Sequence, residues 1–326
     1  FYTALYQVNS LIVALDKLAA SQSRNEILGV ASFFRGLIYY HLVSRYGEVP
    51  ILEAPFSGDI AASTEEEGWS FVEKNFQVAI DYAPTFSDKY YVSKQAAKAL
   101  MARTKLAQGK LTEAAKLAEE VIGDANFSLA DFDQIFRGKA NREEIFSFVN
   151  LLNESSVNLS ASLYSRASAN GGSYTYAPTT KVMNMFEPDD KRTAISIDMQ
   201  ETNEVINKYP GGEVTTDPII ITRLGEMYLI SAEAQGLSKG LSRLNELRNF
   251  RGLPSVHPAT EEDFIDAILN ERHTELLAEG FRWFDLVRLN RLESDLGFER
   301  KYNRLPIPAK ERSLNKLLNQ NSYWAN

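Results

Sequence analysis

Cysteine is absent, which removes disulfides, zinc–thiolate sites and cysteine nucleophiles together and leaves the redox compartment open. Histidine is nearly as scarce. His41, His257 and His273 stand apart with no H-E-x-x-H pairing, so no zinc site is expected. Phosphate-cradling and nucleophile-elbow motifs (G-x-x-x-x-G-K-[ST], G-x-G-x-x-G, G-x-S-x-G) are missing, and Gly171-Gly172 reads as a loop hinge. No cofactor is expected. No run approaches the roughly 20 apolar residues of a membrane span. The longest apolar stretch, around Phe33 to Val43, is broken by Arg35 and His41, so the polypeptide is not expected to cross a bilayer. Basic residues are outnumbered, giving a formal charge of −8, which repels phosphate backbones; a neutral ligand fits better than nucleic acid.

What remains is an ordinary globular composition, 44% hydrophobic and 24% charged over 326 residues. That length allows one elongated domain or two packed lobes. The chain opens on Phe1 rather than Met and is helical from the start. A trimmed N-terminus is therefore expected, with its targeting segment and any lipid anchor removed.

Helical periodicity dominates. Leu111, Ala114, Ala115, Ala118, Val121 and Ile122 form one apolar stripe closed by Gly123. The preceding Lys94 to Gln108 segment ends at Gly109, which predicts an antiparallel helical hairpin. Ala96, Ala97, Ala99 and Ala102 permit close helix approach in the manner of tetratricopeptide repeats. Further helices are predicted at Phe1 to Ala19, Asn25 to Tyr46, Glu65 to Tyr82, Arg223 to Gly236, Leu241 to Phe250, Glu261 to Glu279 and Arg282 to Leu289. They make about four pairs, with Thr260/Asp263 and Ser63/Glu66 as capping boxes. The expected fold is all-α: a tetratricopeptide-like helix-pair array, an alpha-alpha superhelix. As a single domain over 1–326, it has a helical scaffold at 1–126 and 222–291, a loop-rich insert at 127–221 and an irregular tail at 292–326.

The most distinctive stretch runs from Asn270 to Arg288. Glu271, Glu275 and Glu279 stand at i, i+4 and i+8, so they line one helix face within reach of Arg272, Arg282 and Arg288. Two readings are open. Carboxylates within 271–285 could serve a glycosidase, which needs two carboxyls facing a sugar across roughly 5 to 9 Å. Stacked along one helix beside arginines, they more commonly form ion pairs.

The same stretch, Glu271-Arg272 through Glu275-Leu276, Glu279-Gly280 and Arg282-Trp283 to Asp285-Leu286, resembles the C-terminal signature of the SusD-like (RagB/SusD) family. The resemblance continues in family order. It covers Ala31 to Gly36 with Tyr39-Tyr40 and Arg45 to Pro50, then Val92-Ser93-Lys94 with Ala96 to Leu100. It resumes at Asp190-Lys191-Arg192, Arg223 to Glu226 with Ala232 to Ala234, Arg304 to Pro308, and Gln320 to Tyr323. The insert is short for the family, and the segment that would carry the lipidated cysteine precedes Phe1.

The resemblance implies a non-catalytic glycan-binding lipoprotein at the cell-surface side of the outer membrane. It would capture an oligosaccharide or polysaccharide and pass it to a SusC-type TonB-dependent transporter. A protein-binding repeat scaffold is the other non-enzymatic alternative. The family's glycan contacts come mainly from irregular segments, so the signatures themselves are expected to be scaffold.

Sugar sites combine aromatic platforms with a few planar polar groups. Tyr164, Arg166, Asn170, Tyr174 and Tyr176 supply both in the Ser/Gly/Asn-rich loop and form the expected ligand site. The alternative, that these tyrosines only pin the loop, stays open. Trp69 and Trp283 lie on predicted helices and read as core, whereas Trp324 fits either role.

Overall fold

In the computed structural model, which describes residues 1–153, 157–164, 171–211 and 216–325, the chain divides into two compact units. One gathers Phe1–Ser87, Val92–Ala114 and Trp283–Asn326; the other holds Asp88–Tyr91 and Ala115–Arg282.

The first unit opens with α1 (Tyr2–Leu15), α2 (Gln22–Tyr46), α3 (Glu65–Tyr82) and α4 (Lys94–Ala107). Each start after the first has a side-chain cap. Ser21 accepts from the Arg24 amide and Ser93 from the Ala96 amide. At α3 the capping box is Thr64 with Glu67, one residue beyond the expected Ser63/Glu66 pair.

Helix α2 packs against both α1 and α3, and α3 against α4. Small residues set how closely they approach. A Cβ at Gly29 would lie 2.3 Å from the Ala83 amide nitrogen, and one at Gly36 2.9 Å from the Phe76 ring. Ala96, Ala97, Ala99 and Ala102 are fully buried along α4. By length and composition α2 is apolar enough to span a membrane, more than its sequence suggested. In the fold 61% of its most apolar window is buried, and Arg35 is held inside by Asn75 Oδ1 at 2.6 Å. That is how a core helix is built.

Past α4, Gly109 turns the chain at φ +71° into α5 (Leu111–Ile122), which continues into the second unit. There follow α6 (Phe132–Phe136), β1 (Glu144–Phe148), α7 (Thr180–Met183), α8 (Thr193–Ser196), β2 (Ile197–Gln200), β3 (Asn203–Ile206), β4 (Ile219–Arg223), α9 (Leu224–Phe250) and α10 (Glu261–Glu275). The region expected to be irregular thus holds two small antiparallel sheets, β1 with β4 and β2 with β3. Strands this short leave too little alternation to read from sequence.

Helix α9 breaks at Gly236 (φ 68°), where two helices were expected to part. The freed Leu237 amide donates to Glu261 Oε2 at 3.0 Å. Helix α10 ends at Glu275, one turn earlier than its pattern suggests, because Ala278 takes a left-handed φ of 61°.

The tail returns to the first unit as helices Arg282–Arg288, Leu292–Leu296 and Ala309–Leu314. It is stitched down by polar groups. Leu305 donates its amide to Arg45 O at 2.7 Å, Arg304 pairs with Glu65, and Asn315 exchanges hydrogen bonds with the Ile60 backbone.

Substituting Gly29→Val should cost about 1–3 kcal/mol, because the added atoms meet α3 backbone that cannot move aside cheaply. Denaturant melts of the two proteins check this; equal midpoints would mean that α2 and α3 are not in such close contact.

Candidate functional site

The Glu-rich signature gathers charges from across the second unit. Antiparallel pairing of β1 with β4 sets Glu144 opposite Arg223, which also brings Glu143 to Arg223, the residue where β4 passes into α9. Glu275 lies at the centre. One oxygen accepts from Arg223 Nη1 at 2.6 Å and Arg251 Nη2 at 2.8 Å; the other accepts from Arg192 Nη1 at 2.8 Å and Arg251 Nε at 3.1 Å. Glu271 takes Arg192 at 2.5 Å and Arg248 at 2.8 Å, and Glu143 takes Arg223 and Arg251. Asp190 grips Arg192 with both oxygens at 2.8 Å.

Glu279 reaches this cluster through the left-handed turn at Ala278 rather than along the helix face. It binds Arg223 bidentately at 2.9 Å and Lys208 Nζ at 2.8 Å. Lys208 also donates to the carbonyls of Glu275 and Leu277 at 2.8 and 3.0 Å, so a cation satisfies the carbonyls that the ended helix leaves open. Arg223, Arg251 and Lys208 lie within 5.3 Å of the Phe132 ring centre.

Sequence reasoning placed the right carboxylates together but named Arg272, Arg282 and Arg288 as their partners. The ion pairs instead come from Arg192, Arg223, Arg248, Arg251 and Lys208, up to 83 residues away. Local spacing cannot show such partners, although Arg192 and Arg223 sit in motifs read as familial.

Burial alone would raise the Glu275 carboxyl, but Arg251, Arg223 and Arg192 outweigh it and hold Glu275 well below the usual carboxylate range. Glu279 is likewise lowered, with Arg223 and Lys208 overcoming burial. Side chains of Glu143, Glu271, Glu275 and Glu279 are at most 3% exposed, so no carboxyl of this cluster faces a cleft wide enough for a sugar.

The expected sugar loop is held at its base. Asn150 donates to Val157 O at 3.1 Å and Asp217 O at 2.9 Å, and Ser160 donates to Asp217 Oδ2 at 3.0 Å. The segment after Gly171 then pairs with the turn before it. The amides of Ser173, Tyr174 and Tyr176 donate to the carbonyls of Ala161, Tyr164 and Ser162.

The tyrosines have different surroundings. Tyr164 is 2% exposed, and its hydroxyl donates to Asn207 Oδ1 at 2.8 Å, so it fastens the loop to the body of the unit. Tyr174 is half-buried with a left-handed φ of 49°, which its amide bond and a hydroxyl bond to Glu204 O at 2.9 Å maintain. Tyr176 is 65% exposed. Arg166 and Asn170 lie outside the described residues. Of the tryptophans, Trp69 is core, whereas Trp283 and Trp324 are half-buried in a series of edge-to-face rings with Phe298 and Tyr302.

In the first unit, a separate apolar cavity of about 310 Å³ is lined by Tyr2, Leu42, Tyr46, Pro50, Ile307 and Leu318, among others. Among the described residues no group of three or more His, Asp or Glu side chains is disposed to hold a metal ion.

Comparison with known proteins gives one family. Residues 131–303 match the model of the SusD family, and residues 1–106 match a model described as starch-binding associating with outer membrane. SusD-like protein P2 of Formosa agariphila is 26% identical over 372 residues, covering 91% of this chain and 74% of that protein. Among solved structures, a laminarin-binding SusD-like protein superposes with a TM-score of 0.86 at 24% identity, covering 98% of this chain and 84% of the other. A SusD superfamily protein of Bacteroides vulgatus gives 0.88 at 22% identity, with coverage of 99% and 84%. The tetratricopeptide-like all-α fold is thereby shared.

Glu275→Gln should destabilise the protein by about 3–5 kcal/mol, since it leaves buried guanidinium charge uncompensated. Because Glu275 and Glu279 bind protons more weakly folded than unfolded, the unfolded chain gains protons first as acid is added. Wild-type stability should therefore fall as pH drops below about 4.3. Urea titrations from pH 7 to 3 check both statements; a midpoint independent of pH would contradict the second.

Proposed function

Given that the chain belongs to the SusD family, whose model matches residues 131–303, we propose that it is a non-catalytic glycan-binding protein of the outer-membrane surface. It captures oligosaccharides and delivers them to a SusC-type TonB-dependent transporter. A lipid anchor would hold it to the membrane. The family match is the observation that supports this reading most. The laminarin-binding protein among its structural relatives and the starch-binding description of the model over residues 1–106 agree with a glucan-like ligand. The closed state of the Glu143/Glu271/Glu275/Glu279 cluster argues against the glycosidase alternative, because each carboxylate is already bound by cations.

We place the sugar against the loop of Tyr174 and Tyr176. Tyr176 offers an exposed ring, and Tyr174 presents part of its ring from a backbone held in place before any ligand arrives. A fixed backbone lowers the ordering cost of binding. Tyr164 acts beneath them, positioning the loop without touching the ligand.

Calorimetry and affinity electrophoresis against a panel including starch and laminarin should detect binding without release of new reducing ends. Turnover of any glycan, or no binding to any member, would overturn the reading. Tyr176→Ala should weaken binding about fivefold with an unchanged melting temperature, the loss expected for one aromatic contact. Unchanged affinity would remove this loop from the site.

A further inference from the structure

A pair of adjacent tyrosines lies on a second exposed feature, apart in sequence from the loop of Tyr174 and Tyr176. Tyr90 and Tyr91, in the short connection between α3 and α4, are 42% and 68% exposed. Rings so open to water add little to the core. Their backbone is nonetheless fixed. Asp88 Oδ1 accepts the Tyr90 amide at 2.9 Å, Asp88 O accepts the Tyr91 amide at 3.2 Å, and Lys89 O accepts the Ser147 amide of β1 at 2.9 Å.

Lys89 fastens the turn a second time. Its Nζ lies 2.5 Å from Glu144 Oε1 and 5.3 Å from the centre of the Tyr90 ring. Glu144 is buried and further held by Asn141 at 2.8 Å and Ser147 Oγ at 2.7 Å. The cation against the Tyr90 ring is thus neutralised, so the turn presents phenol rings and hydroxyls with little positive charge to attract an anion.

Resting on the glycan-binding reading above, we infer that Tyr90 and Tyr91 form a second platform for a neutral saccharide. Sugar C–H faces stack on phenol rings, and their hydroxyls bond the phenolic and carboxylate groups at the rim. The rigid turn removes much of the ordering cost that exposed tyrosines otherwise carry. A polymer long enough to reach both platforms would gain avidity over a short oligosaccharide.

The test is calorimetry of the full chain with the panel above, comparing wild type, the double variant Tyr90→Ala/Tyr91→Ala, and Tyr90→Phe/Tyr91→Phe. The alanine pair should weaken binding about tenfold, and the phenylalanine pair should stay within about twofold of wild type, since stacking outweighs the hydroxyls. Equal melting temperatures establish that the fold is retained. If wild type binds a glycan and the alanine pair binds it equally well, this platform is wrong and the glycan-binding reading stands. If wild type binds nothing, both fail together.

Discussion

Glu275 accepts hydrogen bonds from three arginines that arrive from different parts of the second unit: Arg192 before α8, Arg223 at the junction of β4 and α9, and Arg251 just past α9. Five cations, Arg192, Arg223, Arg248, Arg251 and Lys208, meet five carboxylates, Asp190, Glu143, Glu271, Glu275 and Glu279. Moving any one of these charges out of water is expensive, and only a nearly balanced, fully bonded set repays it. The elements that supply them must therefore assemble together. A similarly sized apolar core could hold the same elements, but it would tolerate sliding; guanidinium forks accept their partners in few orientations.

This cluster also shapes the local backbone. Lys208 takes the carbonyls left open where α10 stops, and the left-handed Ala278 swings Glu279 back toward Arg223. The conspicuous Glu/Arg signature is thus architecture, with its carboxylates already taken up by cations. Tyr176 in its loop and Tyr90 and Tyr91 in their turn share one arrangement, exposed rings on backbone that hydrogen bonds already hold.

The helices were largely legible. Glu65–Tyr82 matches its expected bounds, α9 breaks at Gly236 as its pattern suggested, and the Thr260/Asp263 box caps α10. These features depend on neighbours within four residues, the range over which periodicity and capping operate. The short strands were missed because four or five residues carry too little alternation. The early end of α10 was missed because an alanine gives no local sign of the left-handed turn at Ala278, and Lys208, which takes the freed carbonyls, lies 67 residues away from Glu275.

From sequence alone, the run of motifs determined the family, and spacing within it determined the helical array and the gathering of Glu271 and Glu275 on one helix. Tertiary structure alone decided which arginines meet those carboxylates. It also decided that Tyr164 is buried on Asn207 while Tyr176 stands in water. Contacts between residues tens of positions apart depend on how elements pack, and exposure is a property of the folded surface. Neither leaves a periodic trace in the chain.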